Sequence, residues 1–179
     1  MLKNREHGHA FICGLIYPAF LGAMIYEFFT ELGKHSPLQV GFILLIFAVY
    51  TFDFLYTNDC YGKDRYNRIR VILDVILVSL VYMGAKAAME VPDPSIAAVF
   101  FWMAGFKLLN FLWECFPKEN QNVEWIPLLT YLMFFVLYIV GCLAFPNPYV
   151  LSVVLLADAT VSYVWDEYET KLKGYIGLA

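Results

Sequence analysis

The sequence predicts an all-α polytopic membrane protein, a bundle of six transmembrane helices with both termini inside. Three observations carry this. Of 179 residues, 61% are apolar and 16% charged, against about 45 to 50% and about 25% in soluble domains. The mean hydropathy is +0.62. The apolar residues also gather into six runs, each long enough to cross about 30 Å of hydrocarbon. Such an excess has to face lipid. The same figures exclude a disordered chain, a coiled coil and a disulfide-stapled secreted domain, and the length fits one domain over residues 1–179.

In order, the predicted spans are 10–32, 38–57, 70–90, 95–116, 125–145 and 148–166. Polar or proline-bearing connections separate them at 33–37, 58–69, 91–94, 117–124 and 146–148. Connections this short return each helix beside the one before it, so three antiparallel hairpins forming one bundle are expected. The first run starts after a polar stretch, is too long for a signal peptide, and lacks a small-x-small cleavage site. Cys13, Cys60, Cys115 and Cys142 form no CxxC or Cys/His cluster and are read as free thiols.

Orientation follows the cations. Lys3, Arg5, Lys63, Arg65, Arg68, Arg70, Lys118, Lys171 and Lys173 fall on one side of a six-span topology, and only Lys34 occupies a loop on the other. This positive-inside bias predicts cytoplasmic termini, in a plasma (inner) membrane. Tyr56, Tyr61, Trp113, Trp125, Tyr149, Trp165 and Tyr168 fall at predicted span boundaries, as an interfacial aromatic belt requires.

A weak internal triplication is visible. The odd spans share a small-residue step at Gly22, Gly84 and Gly141. The even spans share a polar-aromatic-aliphatic-Tyr/Trp pattern starting at Asp53, Asn110 and Ser162, each five residues after a small residue. Small residues also let helix backbones approach closely within lipid, whatever their origin.

Charges inside spans cost about 2.5 to 3.5 kcal/mol each at a helix centre, so they need partners. Lys107 in the fourth span and Asp158 in the sixth fall at matching depth and are expected to pair. Asn110 and Glu114 share the helix face of Lys107, and Ser162 that of Asp158. Glu27 is a candidate partner for Lys86. Asp53 and Asp74 fall in the inner half, with Arg70 one turn before Asp74. The candidate solute or ion site is therefore Lys107 and Asp158 at the midplane, oriented by Asn110 and Ser162, with Glu27, Asp53 and Asp74 as further lining acids.

Other chemistry is not indicated. His7, His9 and His35 cannot bracket a haem, and no HExxH, Gly-x-Ser-x-Gly, phosphate loop or extramembrane metal-ligand cluster occurs. No cofactor, metal or nucleic-acid partner is expected. In size and span count the chain resembles the vitamin-binding subunits of energy-coupling-factor transporters, an architectural resemblance that no motif carries. Two functional readings follow. The first is a membrane protein handling a small solute or ion, as transporter, channel or substrate-binding subunit. The second is a non-transporting scaffold or accessory subunit whose charges knit the bundle. A chain this short is expected to assemble as a homo-oligomer or within a larger membrane complex.

Overall fold

A computed structural model of the protein describes residues 8–62, 68–115 and 125–175, with side chains over 8–58, 69–115 and 125–164. Among these residues every regular element is helical. Helix α1 runs over Gly8–Lys34, followed by α2 (Pro37–Gly62), α3 (Arg68–Met89), α4 (Ile96–Cys115), α5 (Trp125–Ala144) and α6 (Pro148–Tyr175).

Local chemistry accounts for the boundaries. Helix α2 opens on Ser-Pro-Leu-Gln: the Gln39 N–H donates to Ser36 Oγ at 3.2 Å and the Ser36 N–H to Gln39 Oε1 at 3.4 Å, a capping box. Pro37 fills the first helical position, where no N–H is needed. Helix α6 repeats the device, with Pro148 first and the Tyr149 N–H donating to Asn147 Oδ1 at 2.8 Å. Pro18 has no N–H to donate within α1, and the turn before it, Ile12–Ile16, widens to a π-helix. The predicted connection at 58–69 is shorter than expected, because α2 continues as helix to Gly62. Asn58 and Asp59 end the apolar run without ending the helix.

Helices α1 to α5 are each long and apolar enough to cross a membrane, while the apolar part of α6, Pro148–Val164, is shorter. The chain is thus built as a membrane-embedded protein, with five full-length candidate spans and a shorter sixth. Lys3, Arg5, Lys63, Arg65, Lys118 and the side chains of Arg68, Lys171 and Lys173 lie outside the described residues, as do the side chains of Tyr61, Trp165 and Tyr168.

Contacts between helix ends show the alternation of direction. His9 of α1 meets Asn58 late in α2, and Gln39 early in α2 donates to the carbonyls of Ala88 and Glu90 at 2.8 and 3.1 Å. Arg70 early in α3 meets Trp113 late in α4, and Ala97 early in α4 meets Cys142 late in α5. The end holding His9, Asn58, Arg70 and Trp113 is called the near end below, and the other the far end.

Side-chain size sets which helices approach closely. Helix α4 lies tightly between α3 and α5: Gly105 faces Leu80, Gly84 faces Trp102 and Met103, and Gly141 faces the Phe100 ring. Within lipid, close backbone approach of this kind is what holds helices together. Helices α1 and α2 are instead separated by rings in tilted and edge-to-face contact, Tyr17 with Tyr50 at 5.3 Å and Phe28 with Phe47 at 5.7 Å. Of the three expected hairpins, α3 and α4 pack together as such, and the other two are corrected. Helix α2 packs most extensively on α6, and α1 leans mainly on α3. Only two of the three repeat glycines share a packing role, since Gly22 faces open space.

Candidate functional site

Lys107 lies about 16 Å along α4 and Asp158 about 15 Å along α6 from the far end, at about 1.5 Å per residue. The Lys107 Nζ meets Asp158 Oδ1 at 2.6 Å, with the two side chains 3% and 1% exposed. Asp158 is held on its other oxygen by the Tyr138 hydroxyl at 2.8 Å, and Ser162 Oγ stands 3.5 Å from Oδ1. The Lys107 ammonium also sits 5.0 to 5.7 Å from the ring centroids of Phe106, Tyr131 and Phe134, whose faces attract a cation. Asp158 is therefore engaged by one cation and two hydroxyls.

Lys107 has a second surroundings. It lines a cavity of about 50 Å³ whose other polar walls are Asp53, Asn110, Thr130, Tyr131 and Ser162. At about 10 to 15 Å³ of this volume per water, it holds a few waters or one small ion and excludes a vitamin-sized solute. Asp158 does not line it.

The acid that lines it is Asp53. Its Oδ2 accepts from the Tyr17 hydroxyl at 2.5 Å and its Oδ1 from Asn110 Nδ2 at 3.2 Å. Tyr17 is itself fixed, its carbonyl accepting from the Tyr50 hydroxyl at 2.6 Å and its hydroxyl lying 3.2 Å from Thr57 Oγ1. Among the described residues no cation comes within 4 Å of Asp53. Its partners are neutral donors, in contrast to those of Asp158.

Below the cavity, toward the near end, the interior stays polar. Tyr56, which lines the cavity, donates to Glu114. Arg70 stacks over Trp113 at 4.1 Å and donates to the Trp113 carbonyl at 3.4 Å. Asp74 is buried on α3. Above Lys107 the core is apolar, with Val99, Phe100 and Met103 of α4, Ile43 and Ile46 of α2, and Leu151 and Leu155 of α6 all buried. Polar side chains thus adjoin the cavity on its near side, and at the far end Gln39 and His35 are buried as well.

Of the seven candidate residues, the structure gathers Lys107, Asn110, Ser162 and Asp53 around one cavity and places Asp158 directly behind it. Asp53, Asn110 and Ser162 are also the three repeat-pattern polar positions, so α2, α4 and α6 each contribute the equivalent residue to this wall. Asp74 and Glu27 do not line it. Glu27 stands in a far-end groove, 2.7 Å from the Tyr82 hydroxyl and 3.8 Å from Lys86. Among the described residues there is no group of three or more His, Cys, Asp or Glu placed to hold a metal.

Sequence reasoning missed the tyrosines. Tyr17, Tyr56, Tyr82 and Tyr138 each donate to a carboxylate, respectively of Asp53, Glu114, Glu27 and Asp158. Tyr56 and Trp113, expected in the interfacial belt, face inward instead, whereas Trp125 and Tyr149 are exposed as a belt requires. The available signal was position: Tyr17 and Tyr138 fall inside apolar runs, where a buried phenol needs an acceptor. Comparison with protein-family models, curated proteins and solved structures returns no match.

Proposed function

We propose that this chain is a multi-pass membrane protein that handles a small ion, with the cavity between Asp53 and Lys107 as the binding position. One observation carries the reading: Asp53 is an intramembrane carboxylate on a cavity wall, held only by the neutral donors Tyr17 and Asn110. Intramembrane ionisable groups mark ion or proton pathways by default. Lys107 and Asp158 supply the fixed charge beside the cavity, and Asn110 and Ser162 orient its contents. The cavity volume favours an ion over a larger solute. The distribution of Lys and Arg supports cytoplasmic termini, and the small bundle supports assembly as a homo-oligomer or with partner subunits.

A second reading has its own support. The direct Lys107–Asp158 pair, closed by Tyr138, is what a structural bridge requires, and it favours a scaffold or accessory subunit. Flux from reconstituted vesicles separates the two. Under an imposed pH or potassium gradient, wild type is expected to dissipate the gradient and Asp53→Asn to abolish this while unfolding at an unchanged temperature. Flux no greater than in empty vesicles, or an Asp53→Asn variant as active as wild type, overturns the ion site and leaves the scaffold.

A further inference from the structure

The far end carries a groove that is separate from the midplane cavity. Its volume is about 520 Å³, and Tyr26, Glu27, Glu31, Lys34, Lys86 and Glu90 line it. It lies where the candidate spans Gly8–Lys34 and Ile69–Met89 end, so it opens at the boundary between hydrocarbon and water. Beside it Tyr26 and Phe29 are 73% and 65% exposed, as rings are at the headgroup level.

The charges in this groove are unevenly committed. Glu31 is paired with Lys34 at 3.0 Å, and Glu27 is held by Tyr82 at 2.7 Å. The Lys86 ammonium is ion-paired with Glu27 at 3.8 Å without a hydrogen bond, and it stays half exposed. The Glu90 carboxylate has no hydrogen bond or ion pair among the described residues. The groove therefore presents an exposed ammonium in the last turn of α3 and an exposed carboxylate just beyond the end of that helix. Charges of both signs in one groove suit a zwitterion. Three carboxylates, Glu27, Glu31 and Glu90, against two ammonium groups, Lys34 and Lys86, leave one negative charge, which disfavours a purely anionic ligand.

We propose that this groove binds an ammonium-phosphate zwitterion, with the phosphate on Lys86 and the ammonium on Glu90, and that the ligand is the headgroup of an ethanolamine phospholipid from the surrounding leaflet. The inference does not rest on the ion-handling reading. A soluble phosphoethanolamine has the same chemistry, but the exposed rings beside the groove favour the lipid.

The test uses the full-length protein in nanodiscs of equal parts phosphatidylethanolamine and phosphatidylglycerol, with retained lipid counted by native mass spectrometry during progressive delipidation. The ethanolamine lipid is expected to be enriched about fivefold over the glycerol lipid, which is about 1 kcal/mol, the upper end for an exposed ion pair. Lys86→Met is expected to lower retention to that of bulk lipid, and Glu90→Lys to reverse the preference toward phosphatidylglycerol. Both positions are exposed, and the unfolding temperature of each variant confirms that it folds. Retained lipid that mirrors the nanodisc composition, or a Glu90→Lys variant with unchanged preference, overturns the proposal. Added soluble phosphoethanolamine distinguishes the sources: failure to displace the lipid supports the leaflet ligand, and complete displacement at equimolar concentration overturns that assignment.

Discussion

At the scale of the residue, the Lys107–Asp158 pair and Asp53 show how neighbours divide one kind of charge into two roles. A buried ion pair is held by its completeness, since removing one member strands the other. Asp158→Asn leaves Lys107 without a carboxylate and takes an acceptor from the Tyr138 hydroxyl. It is expected to cost about 3 to 5 kcal/mol, a large share of the about 5 to 15 kcal/mol typical of a folded domain. The double variant Lys107→Met with Asp158→Leu removes both charges and is expected to recover most of that loss. Thermal unfolding in detergent of the two variants beside wild type checks this, and a double variant no more stable than the single one would show that the cost lies elsewhere. Asp53→Asn is different, because its partners Tyr17 and Asn110 are neutral and no cation is stranded. Its effect belongs on flux rather than on folding.

At the scale of the element, small residues decide which helices meet. Helix α5 closes on α4 where Gly141 faces Phe100, and a Cβ at Gly141 would fall within that ring. Gly141→Ala is therefore expected to destabilise the bundle by about 1 to 3 kcal/mol, the usual cost of overpacking. Gly41 has open space around its Cα, so Gly41→Ala is expected to be neutral or stabilising by up to about 1 kcal/mol, as alanine is the better helix former. Comparing the two unfolding temperatures separates packing from helix propensity, and equal effects would sink the packing argument. The glycine steps at 22, 84 and 141 look equivalent in sequence, but their surroundings differ because α1 meets its neighbours through rings rather than through its backbone.

At the scale of the whole molecule, the polar interior is lopsided. Polar groups continue from the midplane to the near end through Asp53, Asn110, Tyr56 and Glu114, while the core next above Lys107 is apolar and buried polar groups return only at the far end with Gln39 and His35. How α6 crosses sets the membrane topology, since its apolar part is shorter than the other five spans. With six crossings, epitope tags at the amino and carboxyl termini are expected to be shielded together in intact cells and exposed together on permeabilisation. Accessibility of one tag alone would mean five crossings, with α6 remaining on one side.

The sequence by itself determined the helices, because a helix in lipid satisfies its own backbone and needs only an apolar run with proline, capping or polar punctuation at its ends. Four of the six expected spans match the helices to within a few residues at both ends; the second and the sixth start as expected but continue as helix to Gly62 and Tyr175. The charges at 107 and 158 were also visible, since a charge in an apolar run stands out and its depth follows from counting. Tertiary structure alone decided that Lys107 faces both Asp158 and the cavity, that Asp53 rather than Asp158 lines it, and that tyrosines from other helices answer the acids. Helix identity is local, whereas which face meets which neighbour depends on the volumes of side chains far apart in the chain, on the rings between α1 and α2 and the glycine between α4 and α5. Those contacts exist only once all the helices have packed.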